Sequence, residues 1–221
     1  KTWWKRNTRN YNMGKIFEIK HALVSHKLAT MRNKDTKTFE FRNLCNDIGM
    51  FLGYEALENI NTYDEEIETP ISKMNVKKID ESEIVLVAIL RAGLGMMDGL
   101  LKVVPNAKVG HIGLYRNEET LKAVEYFTKL PDGIENCNVF LLDPMIATGG
   151  SIIDSLKILR NLGAKNVKVL SLIASPEGLK KINDEFSDVD IYVAAIDERL
   201  NEKGYIVPGL GDAGDRIFGT N

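Results

Sequence analysis

The sequence predicts an α/β fold: a doubly wound, mainly parallel sheet flanked by helices. Three observations carry this. Residues Ile84–Leu90 (IVLVAIL) are apolar without interruption, as a strand buried on both faces requires. From there on, short β-branched runs alternate with stretches whose apolar residues recur at helical spacing. Acids, arginines and glycines collect just past the ends of those runs, where an open α/β sheet binds its ligands.

Taken in order, residues 1–12 (KTWWKRNTRNYN) hold four basic groups and no acid, and Met13 reads as a natural start. No apolar stretch follows them, so they are not a signal peptide. They read as a leader or expression remnant, with residues 13–221 as a single domain. The chain next reads helical. Between Thr38 and Asn59, Phe39, Leu44, Ile48, Phe51, Leu52 and Leu57 form one apolar stripe, with Thr36 or Thr38 as its cap. A polar, turn-rich stretch (NTYDEEIETPISKM) precedes the buried strand. RAGLGMMDGLLKVV reads as a loop into a helix, and KVGHIGLY as the next strand. RNEETLKAVEYFTKLPDGIENC then breaks the alternation. It reads as an excursion from the sheet, either a β-arm or flap over a site or an ordinary surface insertion. NVFLLD is a strand, SIIDSLKILRNLG an amphipathic helix closed by Gly163, and NVKVLSLIAS a strand. PEGLKKINDEF is a helix with proline in its first turn, and DIYVAAID is the last clear strand.

Composition narrows the function. The 221 residues are 44 % apolar and 27 % charged, ordinary for a globular protein, with a formal net charge of −2. Residues 13–221 hold 25 basic and 31 acidic groups, a balance of −6, which gives no general reason to bind nucleic acid or an anionic membrane. The longest apolar run is far short of the roughly 20 residues of a membrane span. Two cysteines, Cys45 and Cys137, lie outside any zinc spacing and read as buried thiols in a reducing compartment. A cytoplasmic protein is expected. His21, His26 and His111 are scattered and form no nucleophile set.

The strand ends say more. After Ile84–Leu90 comes Arg91-Ala92-Gly93, and after the KVGHIGLY strand comes Arg116. After NVFLL come Asp143, Pro144, Met145, Ile146, Ala147, Thr148, Gly149, Gly150 and Ser151. Asp197, Glu198 and Arg199 follow the last strand. A glycine loop entering a helix offers free N–H groups and a positive dipole end to a phosphate. Arginines add forked permanent charge. A carboxylate beside phosphate calls for Mg²⁺ or sugar hydroxyls. A phosphorylated sugar with a metal fits this set. There is no Walker-type GxxxxGK[ST]. GLGDAG, Gly209 to Gly214, matches GxGxxG but is not followed by the helix and strand that a dinucleotide site needs.

The stretch from Asp143 to Ser151 resembles the 5-phosphoribosyl 1-pyrophosphate (PRPP) loop of type I phosphoribosyltransferases. ILRAGLGMMDG, YRNEET, LDPMIATGGS and GYIVPGLGDAGDRIFGT stand in the order found in the uracil family of those enzymes, and EIKHALVSHKLATMR is similar too. The resemblance spans Met13 to Asn221. It implies transfer of phosphoribose from PRPP to uracil, giving UMP and pyrophosphate in pyrimidine salvage, with Mg²⁺ bound mainly through PRPP. It also implies a GTP activator and a homodimer or higher oligomer. By position, Arg91 and Arg116 contact the pyrophosphate or 5-phosphate, and Asp143–Ser151 cradle the ribose and 5-phosphate. Ile206, Gly211, Asp212 and Ala213 hold uracil, with Asp212 also near PRPP. Pro144 takes the place of a second acid that many type I enzymes carry.

The residues support that chemistry. PRPP brings its own leaving group, so charge stabilisation by Arg91, Arg116 and Mg²⁺ replaces a protein nucleophile. Asp212 is the carboxylate expected to favour an oxocarbenium-like ribose. Two rivals remain: a regulator on the same fold that binds nucleic acid, which needs a basic face, and a transferase for another base.

Overall fold

The computed structural model describes residues 15–116 and 123–220. The leader reading of residues 1–12 falls outside them. The chain runs β1 (Ile16–Glu18), α1 (Ala22–Arg32), α2 (Thr38–Ala56), β2 (Tyr63–Glu68), β3 (Lys73–Lys78), β4 (Ile84–Leu90), α3 (Leu94–Leu101), β5 (Lys108–Arg116) and β6 (Ala123–Lys129). It continues through β7 (Asn138–Leu142), β8 (Met145–Ile146), α4 (Gly150–Asn161), β9 (Asn166–Ala174), α5 (Pro176–Glu185), β10 (Asp190–Ile196), β11 (Arg199–Leu200), β12 (Ile206–Val207) and α6 (Ala213–Phe218).

The main sheet has the order β1-β10-β9-β7-β4-β5-β6, with β8 pairing β9. Its ladders are parallel except β5–β6. The uninterrupted apolar run of β4 is explained by its position. Ile84, Leu86 and Ala88 enter one core with α1, α2, α3 and α6. Val85, Val87 and Ile89 enter the other with α4 and α5. Each buried valine, leucine or isoleucine among them contributes about 1.5–3 kcal/mol relative to exposure. The doubly wound, mainly parallel fold is the one expected.

Four local expectations are corrected. The region after Met13 does not open as helix: Ile16–Glu18 form the edge strand β1, parallel to β10, with Phe17 stacked on Tyr192 at 4.5 Å. Three residues are too few to show a period. Neither Thr36 nor Thr38 caps α2. Lys37 stands at the cap without a side-chain bond, Thr38 is already helical, and the Thr36 hydroxyl donates to the Thr30 carbonyl. The polar stretch before β4 is a hairpin, β2–β3, held by cross-strand pairs Asp64–Lys77, Glu65–Lys78 and Glu66–Lys73. Its strands are mostly exposed, so no apolar alternation marks them. Finally, the break after β5 is the β-arm of the two readings, but the arm stays within the sheet. β6 folds back antiparallel on β5 and becomes an edge strand, while the arm's tip, 117–122, lies outside the described residues.

Helices α2 and α3 cross closely because glycines face the contact. A Cβ on Gly99 would lie 2.0 Å from the Asn46 carbonyl oxygen, and one on Gly49 3.1 Å from the Met96 Cβ. Asn46 Oδ1 also accepts the Gly99 N–H at 3.1 Å. This crossing sets α3, and with it the loop 91–93, against the body. No helix among the described residues is long and apolar enough to cross a membrane.

Candidate active site

The loop after β7 is pinned from behind. Asp143 N–H donates to the Leu170 carbonyl at 3.3 Å, and the Pro144 carbonyl accepts from Leu172 and Ile173 at 3.0 and 3.2 Å. The chain steps sideways there and pairs again with the end of β9 as β8. Ser175, the N-cap of α5, accepts the Gly178 N–H at 2.9 Å and donates to the Ala147 carbonyl at 2.6 Å. A Cβ on Gly178 would stand 2.2 Å from that carbonyl, so glycine lets α5 touch the loop. Gly149, left-handed at φ 76°, turns the loop into α4 and gives it no side-chain cap. The first N–H groups of α4 are therefore left for an anion.

The loop after β4 meets the same edge. Its first peptide, Leu90–Arg91, is cis. A Cβ on Gly93 would lie 2.4 Å from the Leu142 carbonyl oxygen, so the ends of β4 and β7 are in direct contact. The Arg91 guanidinium reaches Asp215 Oδ1 at 3.5 Å and lies 5.5 Å from the centre of the Phe218 ring.

The opposite wall is the segment from β11 to α6. β11 and β12 pair antiparallel through two residues each, and their turn brings Gly204 towards Thr148. After β12 the chain is held by cations from the helical layer. Arg32 forms a two-bond pair with Asp197 and also donates to the Gly209 carbonyl at 2.7 Å, while Asp197 Oδ2 accepts the Gly209 N–H at 2.9 Å. Arg216 donates to the carbonyls of Leu210 and Asn33, and Arg42 to that of Ile217. Asp212 caps α6, accepting the Asp215 N–H at 2.9 Å.

Between these walls lies a cavity of about 340 Å³. Asp143, Met145 and Ala147 line it from the β7 loop, and Gly211, Asp212, Ala213 and Gly214 from the other side. Ala92 from the β4 loop completes the lining, with Lys203, Gly204 and Tyr205 from the β11–β12 turn. Burial pushes the Asp143 carboxyl up to about 7; the Asp212 charge pushes the same way, and the Met145 N–H at 3.5 Å opposes them.

The structure thus brings together Asp143, Met145, Ala147, Gly211, Asp212 and Ala213 around one space. Thr148, Gly149, Gly150 and Ser151 stand at the start of α4. Pro144 is buried behind the loop and the Ile146 side chain is in the core. The Ile206 side chain is likewise core, and Ile206 is not among the residues lining the cavity. Arg91 lies on the α6 side, more than half exposed. Arg116 ends β5, and its side chain lies outside the described residues. Sequence reasoning missed Lys203 and Tyr205. Strands of two residues carry no readable period, and Tyr205 offered only its place inside GYIVPGLGD.

A parallel sheet whose strand ends carry an acid–glycine loop into a helix, faced by a second wall, fits the type I phosphoribosyltransferase class that the Asp143–Ser151 loop resembles. The family model for uracil phosphoribosyltransferase matches residues 18–220. Uracil phosphoribosyltransferases of Clostridium botulinum and Streptococcus suis are 56 % and 55 % identical over 208 residues, covering 94 % of this chain and 100 % of each relative. A solved Aquifex aeolicus protein superposes with a TM-score of 0.88 at 46 % identity, covering 92 % of this chain and 97 % of that one. The chain belongs to the uracil phosphoribosyltransferase family.

Proposed function

We propose that the cavity between the β7 loop and the β11–α6 wall is where uracil and PRPP react. The protein transfers the 5-phosphoribosyl group from PRPP to uracil, giving UMP and pyrophosphate. The observation that carries the site assignment is that Asp143 and the Gly211–Gly214 turn face one another across a space of about 340 Å³.

The residues divide the work. The uncapped start of α4, Thr148 to Ser151, receives the 5-phosphate. Asp143 accepts from the ribose hydroxyls. Arg91 and Arg116 take the pyrophosphate, which requires Arg91 to exchange its long contact with Asp215 for phosphate oxygens. Backbone groups of Ile206 and of Gly211 to Ala213 pair with the flat, neutral base. Asp212 favours the positive charge that develops on the ribose. The fit to Mg²⁺ rests on Asp143 and Asp212: two carboxylates line one cavity, where burial, and in smaller part the Asp212 charge, disfavours ionisation of Asp143. Among the described residues no three His, Cys, Asp or Glu side chains converge; Asp143 and Asp212 would hold Mg²⁺ together with PRPP. When bound, Mg²⁺ supplies charge neutralisation between these carboxylates and the leaving pyrophosphate. GTP activation and a homodimer or larger assembly rest on the family resemblance, and a cytoplasmic setting on the buried free thiols Cys45 and Cys137.

The test is conversion of radiolabelled uracil to UMP with PRPP and Mg²⁺, abolished by a chelator. Absence of turnover, with tight RNA binding instead, overturns the reading. In the same assay Asp212→Asn, which preserves the cap of α6, lowers kcat about 100-fold or more. Full activity would remove Asp212 from the chemistry.

A further inference from the structure

We infer that Arg32 and Asp197 are positioning residues for base recognition. They lie 165 positions apart and pair end to end, at 2.8 and 2.5 Å. Both then turn on one residue of the base loop. Gly209 donates its N–H to Asp197 and offers its carbonyl to Arg32, so the pair fixes the peptide planes on both sides of it. The Asp197 side chain is 4 % exposed and that of Arg32 23 %. The inference rests on the reading of this cavity as the uracil site.

The physical argument starts from the base. Uracil carries no charge, and the wall from Gly211 onward meets it with backbone. The direction of a backbone donor or acceptor is set only by its peptide plane. Two residues in this turn, Gly209 and Gly211, are left-handed glycines at φ 67° and 81°, with unusual freedom when unheld. A free turn would have to be ordered by each incoming uracil, and that ordering subtracts from affinity. The Arg32–Asp197 pair orders it beforehand. Its energy goes into the shape of a binding surface rather than into net stability, which a buried pair supplies poorly. Geometry also selects arginine. Nη1 serves Asp197 and the Gly209 carbonyl together while Nη2 serves the other carboxylate oxygen, and a lysine ammonium lacks that fork.

A purely structural pair and a positioning pair differ in which substrate suffers. The PRPP loop is braced by α5 and β9, whereas the side-chain bonds of this pair go to Gly209 and not to that loop, so PRPP binding is expected to be spared. The experiment compares wild type, Arg32→Lys, Arg32→Met and Asp197→Asn in steady-state assays against uracil and against PRPP. Calorimetric binding of Mg·PRPP serves as the check that each variant is folded. Wild-type turnover of uracil tests the function; only the variants test the inference. The expected result is a KM for uracil raised about tenfold or more in Arg32→Met and Asp197→Asn, with Arg32→Lys intermediate and the Mg·PRPP affinity within about twofold of wild type. If Arg32→Met does not bind Mg·PRPP, Arg32→Lys is read alone by the same criterion. An unchanged KM for uracil, or parallel loss for both substrates, overturns the inference.

Discussion

At Asp143, burial and the neighbouring Asp212 charge act on one carboxyl, raising it from 3.8 to about 7. The sign of the linkage follows. A raised carboxyl costs the empty protein nothing below pH 3.8, progressively more up to about 7, and its full amount above that. Ribose hydroxyls and Mg²⁺ favour the ionised form, so binding of Mg·PRPP at pH 7 releases about half a proton, and the release fades as pH rises towards 9. Calorimetry in two buffers of different ionisation enthalpy reads this number directly. Release that is unaltered in Asp143→Asn would assign the proton elsewhere. At this scale the sequence was legible where function is local. Asp143, Thr148 and the glycines stand together in one stretch, each awkward as core material. Arg32 gave no such sign, because its meaning lies in Asp197 and Gly209, far along the chain.

The elements place those residues through close contacts that glycine permits. The β7 loop holds its line because α5 rests on it through Gly178 and Ser175. In Gly178→Ala the new methyl must displace the Ala147 carbonyl. We expect a KM for PRPP raised about tenfold or more and a stability loss of roughly 1–3 kcal/mol, read from kinetics and thermal unfolding. An unchanged KM would show that α5 does not set the loop. Elements with a buried face were readable: β4, α4, β9 and α5 appear where their periods put them. The β2–β3 hairpin was not, since its mostly exposed strands pair with each other and carry no buried apolar face. Nor was β1, whose three residues gain their strand character from β10.

Across the whole molecule the cavity is assembled from segments brought to one edge of the sheet: the loops after β4 and β7, the β11–β12 turn and the turn leading into α6. Its two sides differ in how they are fastened. Behind the β4 loop the α2–α3 crossing is tightly interlocked, since a Cβ on Gly99 would strike the Asn46 carbonyl. The β11–β12 turn has two-residue strands, an exposed Tyr205, and N–H groups at Gly204 and Tyr205 bonded to Asn201 of the same turn. In mechanical terms the vessel has a stiff wall and a compliant one. We expect substrates to pass the compliant side. Amide exchange should report it, with Gly204 and Tyr205 exchanging about a hundredfold or more faster than the amide of Gly99, and slowing when both substrate sites are filled. Equal rates would mean that the vessel opens elsewhere.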